Sequence, residues 1–275
     1  VKNFEKTINL VDGYAYTIYG NDEDHTKYQK EMVSYAQMAK RFMNKPFDTP
    51  LAIVGNYDWH EAFPYEKYLF HKDGVAIKSL EECVVADFGC GPGRMVNRTQ
   101  KICKKVDGID ISEYAIDYAR KTFPNSEFHV SSGIDVGSAP ENTYDIVYST
   151  IAIQHIPCKT IRTNIFRGIH NILKKGGIMS IQVAYHPTKT AGVWSHDTEH
   201  ASYDSDFWNA KATNGHADMI INENDLPTLK SDLEKMFKNV SFQLANVDSL
   251  YGNLNGHYHA PYWAQDWLFI QAHKA

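Results

Sequence analysis

The 275-residue chain has no apolar run approaching the ~20 residues that a membrane-spanning helix requires, and its opening VKNFEKTINLVDGY holds no signal-peptide core. No membrane partner is expected. Cysteines are few: Cys83, Cys90, Cys103 and Cys158 form no CxxC pair, which argues against a zinc knuckle or a redox dithiol. A reduced, cytoplasmic setting is the expectation. Repeats, low-complexity tracts and Pro/Gly/Ser-rich linkers are absent, so nothing divides the chain into separate domains. Positive charge is not in excess either. The 28 Lys and Arg stand against 33 Asp and Glu, a net charge of −5 that is poorly suited to a nucleic-acid partner.

What is present is an ordinary globular composition, 43% hydrophobic and 22% charged, in a chain long enough to bury a sizeable core. Its texture changes along the length. Residues 1–80 are aromatic and mixed, with Tyr28, Met32, Tyr35, Ala36, Ala39, Phe42 and Met43 at helical spacing before Pro46. Residues 81–185 alternate strand and helix. Strands are expected at Val84–Phe88, Val106–Ile111, Glu127–Ser131, Tyr144–Ser149 and Ile178–Ala184. Helices are expected at Met95–Lys104, from an N-capping Ser112 to Lys121, and from Lys159 until Gly176-Gly177 stops it. This alternation predicts a parallel sheet built from right-handed crossovers. Residues 186–222 are polar, aromatic and aperiodic, too long for a plain connection, and read as a lid. In residues 223–275, a helix over Leu226–Phe237 and strands at Val240–Val247 and Trp267–Ala272 suggest an antiparallel edge.

The most informative segment runs Val84-Val85-Ala86-Asp87-Phe88-Gly89-Cys90-Gly91-Pro92-Gly93-Arg94. A buried strand enters a turn whose glycines let the backbone bend sharply and approach a ligand, and a helix start with unpaired N–H groups follows. In GxGxxG the sixth position is glycine, and here it is Arg94; no GxxxxGK[ST] occurs, which excludes a P-loop. The next strand ends at Gly108-Ile109-Asp110, where a carboxylate can accept both hydroxyls of a ribose.

In their order and spacing these residues resemble the class I S-adenosylmethionine-dependent methyltransferases, over about residues 81–183. The resemblance implies an α/β, Rossmann-like doubly wound, mostly parallel seven-stranded sheet with an antiparallel C-terminal edge, a helical N-terminal cap and a lid insertion. It implies S-adenosylmethionine as cofactor, with Asp87, Gly89, Cys90, Gly91 and Gly93 beside its methionine part and Asp110 on the ribose. Ile111 would pack on adenine, and Ser132, Gly133 and Ile134 would take the place of the acidic residue that often ends the third strand. Ser149, Thr150 and Ile151 would lie by the methionine carboxylate or the methyl group.

The acceptor is less legible. The fourth strand continues Thr150-Ile151-Ala152-Ile153-Gln154-His155-Ile156-Pro157, without the [DNS]PP[YFW] motif of nucleic-acid amino methyltransferases, so a small-molecule acceptor is expected. His155 and His186, each just beyond a strand end, are the candidate general bases, an unperturbed imidazole titrating at about 6.5. Ten of the 13 His and all five Trp fall outside 81–183. Tyr57, Trp59, His60, Trp194, His196, Tyr258 and Trp263 are the candidate acceptor-binding residues. His196 and His200 have the i, i+4 spacing of helical metal ligands, yet surface histidines of an aromatic lid are the simpler reading, and no metal is expected. Residues 186–275 contain no Arg and carry the chain's whole net −5. Such a lid suits a neutral, hydroxylated or cationic acceptor better than a phosphate. O-methylation, of a sugar-like ring for instance, is expected ahead of N-methylation of a small amine or NAD-dependent oxidation on the same fold.

Overall fold

A computed structural model of the chain describes residues 4–9, 15–20, 63–156, 158–188, 192–195, 198–204, 216–246 and 266–275. In chain order the elements are β1 (Phe4–Asn9), β2 (Ala15–Gly20), α1 (Tyr65–Leu69), β3 (His71–Lys72), β4 (Val75–Ala76), β5 (Val84–Phe88), α2 (Arg94–Thr99), β6 (Lys105–Asp110) and α3 (Glu113–Thr122). Then follow β7 (Phe128–Val130), β8 (Tyr144–Ser149), α4 (Lys159–Ile172), β9 (Leu173–Tyr185), β10 (Gly192–Ser195), β11 (Thr198–Ala201) and β12 (His216–Met219). The chain closes with α5 (Leu226–Glu234), β13 (Lys238–Asn246) and β14 (Asp266–His273).

Seven strands form one sheet in the order β13-β14-β9-β8-β5-β6-β7. The five strands from β9 to β7 are parallel, and beyond β9 the strand β14 pairs antiparallel with both β9 and the edge strand β13. This is the doubly wound sheet with an antiparallel C-terminal edge that the strand–helix alternation predicts. The parallel strands are apolar because both faces are covered. On one face α4 buries Ile161, Ile165, Ile169 and Ile172, each at most 1% exposed. Each such side chain contributes about 1.5–3 kcal/mol. The expected N-cap is present, Ser112 accepting from the Ala115 N–H at the start of α3.

On the other face, the segment before β5 is fastened to the sheet. Arg98 of α2 forks onto both carboxylate oxygens of Glu66, at 2.7 and 2.6 Å, and donates to the Phe63 carbonyl. From β14, Gln271 donates to the carbonyls of Tyr68, Leu69 and His71, and Ser180 of β9 also donates to Leu69. Tyr65 stacks on Trp267, with centroids 5.4 Å apart.

Two expectations are corrected. First, α2 ends at Thr99 rather than Lys104, where Thr99 turns its hydroxyl onto Met95 O and Tyr148 OH and the chain passes through turns to a buried Cys103. Second, α4 ends at Ile172, and Gly176-Gly177 lie inside β9 instead of stopping the helix. Leu173 is already extended, buried and paired with Tyr144, and the register then slips before Ile178 pairs with Ile146. Gly176 occupies this bulge with φ of +72°, and Lys274 takes the Leu173 carbonyl at 2.7 Å. Helical periodicity and lysines near a helix end could not reveal a bulge set by the neighbouring strands. The 186–222 stretch also contains the small sheet β10-β11-β12, and residues 1–80 contain the β1–β2 antiparallel pair. The helix expected over Tyr28–Met43 lies outside the described residues, as do Tyr57, Trp59, His60, His196, Tyr258 and Trp263. Trp194 lies in β10.

Candidate active site

The candidate site lies where β5, β6, β7, β8 and β9 end, the edge at which open parallel sheets bind ligands. It is built around the loop from β5 to α2. Gly89, Gly91 and Gly93 all have positive φ, at +79°, +52° and +99°. Gly89 and Cys90 donate their N–H groups to Ile109 O at 2.7 and 3.1 Å, hanging the loop on β6. A Cβ on Gly89 would fall 2.2 Å from Ala152 Cβ, and one on Gly93 would fall 2.4 Å from the Phe123 ring. A Cβ on Gly91 would meet nothing within 4 Å. Two of the glycines are thus required by packing, and the third faces open space. Burial pushes the Cys90 thiol well up, so it stays protonated and is no nucleophile.

Asp110 ends β6 and ties the loop in place. Its Oδ2 accepts from Gly91 N and its Oδ1 from Ser112 N, both at 2.8 Å. Each oxygen keeps further acceptor capacity, the chemistry a ribose diol requires. Burial raises the carboxyl pKa against the pull of these N–H donors. Ile111 next to it is half-buried against the core. Beside Asp110, at the end of β7, Ser131 donates its N–H to Asp110 O at 2.9 Å, and its Oγ accepts from Gly133 N. Asp135 organises this turn, accepting from Ser132 N, Ser132 Oγ and Gly137 N. Ser132, Gly133 and Ile134 form the turn that follows Ser131 beside Asp110, with the Ser132 hydroxyl directed to Asp135.

At this edge of the sheet, the buried polar atoms without a hydrogen-bond partner among the described residues include Asp87 Oδ1, Arg94 Nη1 and Ser149 Oγ. They belong to adjacent strand ends and the helix between them, since Asp87 pairs with Tyr148 and Arg94 opens α2. Burial pushes the Asp87 carboxyl up to about 8, opposed by Arg94 and reinforced by Asp110. Arg94, 8% exposed, lies over the Tyr65 ring at 5.3 Å and reaches Thr150 Oγ1 at 3.5 Å. An unsatisfied carboxylate oxygen beside an unsatisfied guanidinium nitrogen matches an amino acid's ammonium and carboxylate. The methionine end of S-adenosylmethionine carries both groups, and the open side of Gly91 gives its backbone a close approach. The residues present fit this cofactor.

The turn after β8 completes the site. Ser149 and Thr150 are buried at the strand end, and Ile151 follows with φ of +58°. His155 closes a short 3-10 turn over Ile153–His155, against which β12 packs. His186 follows β9, with its N–H on Ile221 O and its Nδ1 accepting from Thr188 N at 3.3 Å. Both histidines stand at the carboxyl edge.

Sequence reasoning treated Arg94 only as a departure from a glycine fingerprint and missed Gln154 and Gln182. The available signal was a polar side chain inside an apolar strand, as in Ile181-Gln182-Val183. Among the described residues, no cluster of three or more His, Cys, Asp or Glu is arranged to hold a metal ion, and no helix is long and apolar enough to cross a membrane.

Residues 85–177 match the family model described as "Methyltransferase domain". A viral protein named as a methyltransferase, from Invertebrate iridescent virus 6, is 31% identical over 134 residues, 48% of each chain. A trans-aconitate 2-methyltransferase of Variovorax paradoxus is 28% identical over 137 residues, 46% of this chain and 50% of that one. The chain spans about half the length of the curated relatives it matches. Among solved structures, Haemonchus contortus phosphoethanolamine N-methyltransferase 1, bound to phosphoethanolamine and S-adenosylhomocysteine, superimposes with a TM-score of 0.57 at 12% identity. That match covers 92% of this chain and 50% of the other, and at such identity it shows the fold alone. The sheet order, the glycine loop and the matched region agree: residues 85–177 carry a methyltransferase domain of the class I S-adenosylmethionine-dependent type.

Proposed function

We propose that the protein transfers the methyl group of S-adenosylmethionine to a small-molecule acceptor at the carboxyl edge of its sheet. The observation that carries this reading is the buried trio of Asp87 Oδ1, Arg94 Nη1 and Ser149 Oγ, which lack partners among the described residues. When bound, the cofactor supplies an electrophilic methyl on a sulfonium that is already a good leaving group. The chain's residues then have to hold, orient and dry the site. Asp87 accepts from the ammonium, Arg94 donates to the carboxylate, and Asp110 accepts from the ribose hydroxyls. Ser132, Gly133 and Ile134 border the adenine, and Ile111 packs on it. Residues 186–222, whose β12 lies against the His155 turn, act as the lid.

A hydroxyl is the favoured acceptor, with His155 or His186 taking its proton. The named relatives act on unlike molecules, trans-aconitate and phosphoethanolamine, so they do not choose between oxygen and nitrogen. The Arg-free, acidic 186–275 segment favours a neutral, sugar-like or cationic acceptor over a phosphorylated one. Tyr57, Trp59, His60, Trp194, His196, Tyr258 and Trp263 are the aromatic and imidazole groups proposed to contact it. A reduced, cytoplasmic setting accords with four cysteines that are all buried and unbridged.

A thermal-shift comparison tests the cofactor. S-adenosylhomocysteine should raise Tm and NAD should not; stabilisation by NAD alone overturns the reading. A metabolite panel with labelled S-adenosylmethionine then identifies the acceptor class.

A further inference from the structure

Ile151 holds a φ of +58°. A β-branched residue rarely takes this left-handed conformation, because its Cβ crowds the backbone, and such outliers persist only where their surroundings hold them. The holding group is Gln182. Its Oε1 accepts the Ile151 N–H at 2.7 Å, and its Nε2 donates to Gln154 Oε1 at 3.4 Å. Gln182 and Gln154 are 0% and 2% exposed, and Gln182 sits between apolar Ile181 and Val183 in β9. A buried amide in apolar surroundings is costly unless hydrogen-bonded, and this one bonds at both ends.

The turn has a geometric consequence. The residue after Ile151 is Ala152, whose Cβ lies where a Cβ on Gly89 would fall, only 2.2 Å away. The left-handed step therefore seats the β8 turn directly on the glycine loop. Immediately before it come Ser149, with its buried hydroxyl lacking a partner among the described residues, and Thr150, which Arg94 reaches at 3.5 Å. The side-chain carbonyl that accepts from Ile151 thus lies one residue from the contact between two loops that line the candidate site.

We propose that Gln182 is a positioning residue of the cofactor site. It holds Ile151 in the left-handed turn that seats Ala152 on Gly89 and fixes Ser149 and Thr150. The inference rests on the methyl-donor reading above. Gln182 acts through the Ile151 amide rather than by contact with the cofactor.

The test is a mutant cycle read in two ways. Gln182→Met keeps the volume and removes the acceptor; should it not fold, Gln182→Asn withdraws the carbonyl instead. In the ligand-free protein the substitution should accelerate hydrogen exchange at the Ile151 amide. Calorimetric titration with S-adenosylhomocysteine should show binding weakened about tenfold. In an Ile151→Gly background, where glycine takes positive φ without strain, the same substitution should weaken binding by less than about threefold. Unchanged exchange at Ile151, or equal losses in the two backgrounds, would overturn the proposal. If the unmodified protein does not bind S-adenosylhomocysteine, the donor reading fails first, and with it the role of Gln182 in that site. Faster exchange in the variant would then leave Gln182 as a holder of the turn alone.

Discussion

Gly91 donates its backbone N–H to Asp110 Oδ2 across 2.8 Å, so the carboxylate that ends β6 also fixes the loop that follows β5. One residue thereby shapes the loop and supplies the acceptor expected to meet the ribose. Asp110→Ala should weaken S-adenosylhomocysteine binding by ~1–3 kcal/mol in calorimetry, the scale of lost hydrogen bonds to a charged group. An unchanged dissociation constant would contradict the ribose assignment.

Asp87 sets a pH dependence whose sign follows from its raised pKa. Folded, its carboxyl titrates at about 8, against a reference value of 3.8. Between those values the native state keeps a proton that the unfolded chain has released. The stabilisation is full below about 4 and is lost as pH rises towards about 8, at up to ~1.4 kcal/mol per pH unit. Urea unfolding of the ligand-free protein from pH 5 to 8 should show this decline, and Asp87→Asn should flatten it relative to the unmodified chain. Equal slopes for the two proteins would refute the assignment.

The glycines of the loop should separate by what each faces. Gly89→Ala combines positive φ with a Cβ 2.2 Å from Ala152 and should cost ~2–3 kcal/mol of stability. Gly91→Ala meets open space and should cost only ~1–2 kcal/mol through its left-handed backbone. The second substitution should nevertheless weaken S-adenosylhomocysteine binding, because its methyl would enter the open space in which the cofactor is proposed to lie. Denaturation and titration on both variants check the contrast.

Arg94 is assigned to the carboxylate of the methionine part, and the assignment has a selective test. Arg94→Met should reduce S-adenosylhomocysteine affinity by ~2 kcal/mol, since a charge-assisted bond is lost. Methylthioadenosine, which has no amino-acid end, should bind the variant and the unmodified protein alike. Parallel losses for both ligands would show that Arg94 supports the fold instead.

The two histidines are distinguished by turnover. Once an acceptor is known, alanine at the true base should lower kcat by roughly 10²–10⁴-fold with little change in S-adenosylhomocysteine affinity. His155→Ala and His186→Ala, measured side by side, decide between them. Full activity in both variants would remove the base assignment.

The order of strands and helices between Val84 and Tyr185 was legible because the elements carry their own periodicity, and α3 carries its cap Ser112 as well. Asp87, the glycine loop and Asp110 were legible for a related reason. Their chemistry depends on spacing within one strand–turn–helix–strand unit, and local sequence determines that. The bulge at Gly176, the partnerless trio around Arg94 and the Gln182 hold on Ile151 were not legible. Each depends on strands brought together from distant parts of the chain: Gln182 lies 31 residues from Ile151, and Arg94 lies 56 residues from Thr150. The sequence by itself determined the sheet and the kind of cofactor it suits. Only the tertiary structure decided which buried polar atoms are satisfied, because that depends on what the neighbouring strands bring against them.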